Sequence, residues 1–235
     1  MWRTFEKARP TEWIPAFAGN DGRWGRNRQK HESAAASGMV EFLARLAIHS
    51  GTIDTEGKKM KESAELEKQA AYHVATLMAA AARTAPKTRG IDNIQAVAID
   101  DENTRQTLVN KMKQIAGTEN RPGFKRDANN VAASPVIVVI GVQSNPAGLN
   151  CGFCGSPTCD ALKIKDGVCA FNSMDLGIAA CSAAAIAANF HVDNRMMFSI
   201  GRSCLDLKLF AEGVKQAIGI PLSITGKSPF FDRKP

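Results

Sequence analysis

Four cysteines fall within nineteen residues of the chain, as Cys151-Gly-Phe-Cys154-Gly-Ser-Pro-Thr-Cys159 closed by Cys169, a C-x2-C-x4-C-x9-C spacing. Thiolates are soft ligands, and several close in sequence with one supplied from further along is a common way to hold an iron–sulfur cluster. Gly152 and Gly155 each follow a cysteine. Freedom to take positive φ at those points lets a backbone wrap tightly and aim N–H groups at sulfur. We read the site as a [4Fe–4S] cluster on Cys151, Cys154, Cys159 and Cys169. Two alternatives stay open at this point. Structural zinc also takes four cysteines, but typically from two C-x2–4-C knuckles, and this chain has one. A disulfide pair or free thiols are the other. Cys169 follows an Asp166-Gly167 turn able to fold the chain back, whereas Cys181 and Cys204 fall in expected helices and read as small buried hydrophobes.

Other candidate chemistry is sparse. Arg83, Lys87, Arg89, Lys227, Arg233 and Lys234 read as a solvated basic surface in preference to an anion site. His31, His49, His73 and His191 are scattered, and His73 lies in an expected helix as a structural residue. Asp193-Asn194-Arg195 forms a polar knot, either a helix stop or part of a pocket. There is no Walker loop, Gly-rich nucleotide fingerprint or Ser–His–Asp signature.

The elements that must position the cysteines follow from periodicity. From Met60 apolar residues recur at helical steps, through Leu66, Ala70, Val74, Leu77, Met78 and Ala81, until Pro86 ends the helix. Ile94 to Ile99 alternates as a strand. Asp100 or Asp101 caps a helix with inner residues Leu108, Met112 and Ile115, stopped near Gly117, and a short helix follows from about Phe124 to Ala133. Pro135 to Val142 is a β-branched run suited to a central strand buried on both faces. After the cysteines, Asn172 or Ser173 caps a long small-residue helix through Phe190. Met196 to Ile200 is expected as strand, Arg202 to Phe210 as helix, and Val214 to Ile220 as a last strand ended by Pro221. The fold class is α/β or α+β: a small mixed sheet flanked by helices, with the cysteine-rich module inserted between the central strand and the long helix.

The bulk properties set the boundaries. At 44% hydrophobic, 235 residues can bury a core, while the longest apolar runs, such as Val136 to Val142, fall short of the ~20 residues a membrane helix needs. No membrane is expected. Residues 1–38 hold seven Lys/Arg against four Asp/Glu, so they supply +3 of the net +7. The remainder is only mildly basic and poor in aromatics, which gives nucleic-acid binding no support. All six cysteines lie between 151 and 204, a clustering that suits metal binding in a reducing compartment, hence the cytoplasm. Residues 1–59 are expected to be a disordered extension. All three tryptophans lie within its first 38 residues, and Glu12 to Gly22 resembles a translated intergenic repeat, so Met39 or Met60 is the expected start. Val40 to Ile48 is a short apolar stretch there with no assigned role. Residues 60–235 are expected as one domain, with the cluster module at about 145–172.

Several blocks resemble the uncharacterised bacterial and archaeal ferredoxin-domain-containing proteins. They are Ala79 to Asn93, Phe124-Lys-Arg-Asp127, Gly148 to Gly155, Cys169-Ala-Phe-Asn172, Val192-Asp-Asn-Arg195 and Gly219 to Arg233, in the expected order. The resemblance implies a ferredoxin-type 4Fe–4S module in a domain of unknown function. It assigns no reaction and leaves open whether the protein is an enzyme. A weaker likeness runs to nitroreductases, through Ala82-Arg-Thr-Ala-Pro86, Asn93-Ile-Gln95, Asp175 to Ala179 and Gly219-Ile-Pro221. Their early Arg-rich flavin-phosphate segment is missing, so FMN is not expected. The resulting expectation is a cluster-binding redox protein that transfers electrons to an unidentified partner protein, with a homodimer left open. A cluster-fed flavin oxidoreductase is the alternative, and a zinc-stabilised interaction domain the second alternative.

Overall fold

The computed structural model describes residues 60–231. The expectations for residues 1–59, and for Arg233 and Lys234, lie outside the described residues. The chain from Met60 onward forms one unit. In order it runs α1 (Ser63–Thr84), a 3-10 turn (Thr88–Gly90), β1 (Ile94–Ile99), α2 (Glu102–Thr118), α3 (Pro122–Ala133), β2 (Ile137–Gln143), α4 (Cys159–Ile164), α5 (Ala170–Asn189), β3 (Asp193–Asn194), α6 (Phe198–Asp206) and β4 (Val214–Ser223).

The strands lie in the order β1-β2-β4-β3. β2 pairs with β1 (Ile99↔Ile137) and with β4 (Ile137↔Pro221), so it is central. Successive side chains of a strand point to opposite faces. Val138, Ile140 and Val142 enter one core with α1 and α5, while Ile137 and Val139 enter a second with α2, α3 and α6. The small sheet flanked by helices is as expected. Its directions correct the mixed sheet, since every pairing among the described residues is antiparallel. The cause is the connections. Two helices, α2 and α3, separate β1 from β2, whereas α4, α5, the two-residue β3 and α6 lie between β2 and β4. The α2–α3 pair brings the chain back to the end of the sheet where β1 finished, so β2 runs the other way.

Local chemistry explains most boundaries. Asp101 caps α2 by accepting the Thr104 N–H at 2.7 Å, and that hydrogen bond holds its carboxyl below the usual carboxylate range. Leu108, Met112 and Ile115 are buried on the inner face of α2 as expected, joined by Val109. In α1 the buried stripe is Ala71, Val74, Ala75, Met78 and Ala82, so Leu66 and Ala70 are exposed contrary to the helical pattern read from sequence. Alanines decide this rotation. Those of α1 share a core with Ala179, Ala180, Ala183 and Ala187 of α5, and two helices with small facing residues can approach closely.

Three further expectations are corrected. The long helix starts at Ala170 with Cys169 as its N-cap, and Asn172 does not cap it because its side chain accepts the Asn145 N–H instead. Met196 to Ile200 is not a strand: Met197 makes a single bridge to Gly219, and α6 begins at Phe198. Ser199, Ile200, Gly201, Ser203 and Cys204 are the buried positions of α6, a helical face that a short apolar run conceals. Pro221 lies inside β4 instead of ending it. Leu222 donates to Val136 on the β2 side, so the missing N–H of its neighbour Pro221 faces the other edge. There β3 pairs only with Leu222 and Ser223, and the proline costs no ladder bond. α5 alone among the described helices is long and apolar enough to cross a membrane by length and composition, and it buries Leu176, Ala179, Ala180, Ala183 and Ala187 against the sheet side.

Candidate metal centre

Residues 144–168 leave the end of β2, carry three cysteines and deliver the fourth to the start of α5. The root of this excursion is held by residues from three separate parts of the chain. Gln143 and Asn145 bond to Asn93 through the Gln143 N–H to its carbonyl (2.9 Å) and the Asn145 amide to Asn93 Oδ1 (3.3 Å). The Asn145 N–H donates to Asn172 Oδ1 of α5 (3.1 Å). Arg89 donates to the Ala147 carbonyl at 2.7 Å. The turn carrying Arg89 is itself fixed by α5, whose buried Asp175 accepts both the N–H and the hydroxyl of Thr88 at 3.0 and 2.9 Å.

The backbone then turns repeatedly through the left-handed region, at Gly148 (φ +72°), Asn150 (+49°), Gly152 (+70°) and Gly155 (+78°). Gly155 closes back on Gly152 with an N–H to carbonyl bond of 2.9 Å. Glycine meets no Cβ penalty there. Thr158 then caps α4, its hydroxyl accepting the Ala161 N–H at 3.1 Å, which makes Cys159 the first helical residue. Asp166 (φ +52°) and the Gly167 N–H to Leu162 carbonyl bond (3.0 Å) turn the chain back toward Cys169. Lys215 of β4 grips this turn through the Asp166 carbonyl at 2.8 Å and its carboxylate.

Cys151, Cys154, Cys159 and Cys169 all line one pocket, with Ala147, Asn150, Phe153 and Phe171 among its other walls. Cys151 is exposed, Cys154 and Cys159 are half-buried, and Cys169 is buried beside Ala147 and Leu162. Phe153 stacks on Phe171 at 5.9 Å between centroids. Two features favour negative charge in the pocket. The N-terminus of the 20-residue α5 opens at Cys169 with no side-chain cap, so the positive end of its dipole lies there. The Asn150 N–H donates to Cys159 Sγ at 3.4 Å. Among the described residues, no three His, Cys, Asp or Glu side chains converge closely enough for a single metal ion.

The remaining sequence candidates lie apart from this pocket. Cys204 is buried in α6, and burial pushes its thiol up to about 12. Cys181 corrects its reading as a buried hydrophobe, because it is exposed on α5. It lies twelve positions beyond Cys169, about 18 Å along the axis at 1.5 Å per residue. The two thiols should therefore differ in reactivity, since the thiolate is the nucleophile. Under brief iodoacetamide treatment of native protein, mapped by peptide mass, Cys181 is expected to react on the order of a hundredfold faster than Cys204. Equal rates would contradict this placement. Arg83 and Lys87 do not gather round an anion. Both pair with Asp92, and Lys87 also donates to the Ala85 carbonyl at 3.0 Å. His73 and His191 are exposed. The Asp193-Asn194-Arg195 knot is a strand with a tail clamp, where Arg195 lies over the Phe231 ring at 5.9 Å.

Asn150, Asn145, Asn93, Asn172, Arg89 and Asp175 were missed as site residues. Asparagine immediately before Cys151 was the one local signal, because asparagine tolerates positive φ. The others meet only through tertiary structure.

Comparison with known proteins bears on the same segment. A family described as "uncharacterized protein containing a ferredoxin domain" matches residues 165–233. An uncharacterized protein of Archaeoglobus fulgidus is 38% identical over 170 residues, which cover 68% of this chain and 90% of that one. The chain belongs to this ferredoxin-domain family. Of the four pocket cysteines, the family match takes in Cys169 and begins after the other three. Among solved structures, a Desulfitobacterium hafniense nitroreductase with bound FMN is 14% identical, with a TM-score of 0.48 over 73% of this chain and 82% of that one. A Bacteroides fragilis nitroreductase with bound FMN is 11% identical, with a TM-score of 0.47 over 76% and 86%. Neither likeness bears on what this family member binds.

Proposed function

We propose that this ferredoxin-domain protein binds a [4Fe–4S] cluster on Cys151, Cys154, Cys159 and Cys169 and transfers electrons through it. The observation that carries the reading is the shared pocket: a loop, the start of α4 and the N-cap of α5 bring four thiols to one lining. A cluster binds each cysteine through its own iron, so its sulfurs stand further apart than the ~3.8 Å implied by tetrahedral zinc with ~2.3 Å bonds. The helix dipole at Cys169 and the Asn150 N–H donor support an anionic centre there.

A bound cluster supplies a one-electron couple. The protein's own residues do the rest. Asn93, Asn172 and Arg89 hold the root of the loop, and Phe153 and Phe171 cover one side. Leu149 and Phe153 are 45% and 65% exposed beside exposed Cys151, which leaves an apolar edge where a redox partner protein can come close. We take the compartment to be the cytoplasm, where a reducing environment keeps thiol ligands available. Protein purified without oxygen is expected to be brown and to contain about four iron and four acid-labile sulfide per chain. Colourless protein with one zinc, or one that releases a fluorescent flavin and no iron, would end the proposal.

A further inference from the structure

We propose that Asn150 is a positioning residue of this site, which through Cys159 raises the reduction potential of the bound cluster; this rests on the iron–sulfur reading above. Two bonds join Asn150 to Cys159. The Asn150 side-chain oxygen accepts the Cys159 N–H at 2.8 Å, and the Asn150 N–H donates to Cys159 Sγ at 3.4 Å. They close a ring between the residue just before Cys151 and Cys159 itself, so the first and third cysteines of the motif are held together.

The residue type fits both bonds. Asn150 has φ +49°, a region that asparagine enters more readily than most residues with a side chain. Cys159 opens α4, so its N–H has no partner within the helix, and the asparagine oxygen supplies one. Glycine would take the same φ but offers no acceptor. Aspartate offers the acceptor but adds a negative charge beside an anionic centre. The left-handed turn, locked by the side chain, is what aims the backbone N–H at the sulfur. An N–H donated to a ligand sulfur favours the more negative, reduced state, and so raises the potential.

The test uses wild-type, N150G and N150D protein, all purified without oxygen. Iron and sulfide are counted, and potentials are measured by dithionite titration followed by electron paramagnetic resonance. N150G is expected to retain its cluster with a potential lower by ~59 mV, a tenfold change in a one-electron ratio. It should also lose iron to a chelator at least ~10-fold faster, in the range typical of lost outer-shell partners. N150D, which keeps the acceptor, is expected to resist the chelator as wild type does. Wild-type potential and chelator resistance in N150G would overturn the role, and so would N150D losing iron as fast as N150G. Should N150G fail to fold by circular dichroism, N150Q carries its amide one methylene too far and is read by the same two measures. Wild-type protein without iron or sulfide would instead bring down the cluster reading itself, before any variant is compared.

Discussion

Cys169→Ala protein is expected to lose nearly all of its iron and its visible absorption, while Cys181→Ala protein keeps both. Cys169 is the pocket cysteine furthest along the sequence and the one that a longer-range ligand would replace. It lies at the N-cap of α5, buried at 4% exposure, on the same lining as Cys151, Cys154 and Cys159. Cys181 is more than three turns further along the same rigid helix and faces solvent. To reach the pocket it would have to unwind the helix that carries Leu176, Ala179 and Ala180 in the core. Removing one of four ligands leaves an iron open to solvent and a binding set short of one thiolate. The measurement is iron and sulfide per chain after anaerobic purification, with circular dichroism to confirm folding. A Cys169→Ala protein that stays brown, or a Cys181→Ala protein that bleaches, would reassign the fourth ligand.

Gly201→Ala is expected to destabilise the protein by about 3 kcal/mol or more, through overpacking that a backbone cannot relieve. A Cβ on Gly201 would stand 1.8 Å from the Ala217 carbonyl oxygen and 2.3 Å from its carbon. Neither side can yield easily. β4 is hydrogen-bonded to β2 along its length, and α6 is fixed by the Met197 bridge to Gly219 and by Ile200 seated over that same glycine. At this size such a loss lowers the melting temperature by roughly 6–12 °C. Gly117→Ala is the paired control. Gly117 lies in α2 with nothing within 4 Å of an added Cβ, so alanine there should be neutral or stabilising by about 0.5–1 kcal/mol. Thermal unfolding of both variants decides the matter, and a Gly201→Ala protein that melts within about 2 °C of wild type would refute the close packing of α6 on β4.

Gly201 also marks where sequence reading stopped. A lone glycine in Met196 to Phe210 gives no local sign that a strand backbone passes against it. Strand and helix were therefore misplaced on either side of it, with Met197 making a bridge and Phe198 opening a helix. The antiparallel sheet was hidden for a similar reason. Periodicity locates each strand, but direction depends on how the connecting elements pack.

Much else was written in local chemistry. β1 at Ile94–Ile99, the Asp101 cap and the buried face of α2 each follow from residues that act within one element. So did the choice of Cys151, Cys154, Cys159 and Cys169 as candidates, because ligand type and close spacing are properties of the chain itself. What only tertiary structure decided is what surrounds them. Asn93, Asn172 and Arg89 come from separate elements to fix the loop, Cys169 becomes the cap of α5, and Asn150 meets Cys159 across eight intervening residues. Spacing can nominate ligands, but hydrogen bonds between distant residues exist only once the sheet and helices have set the distances.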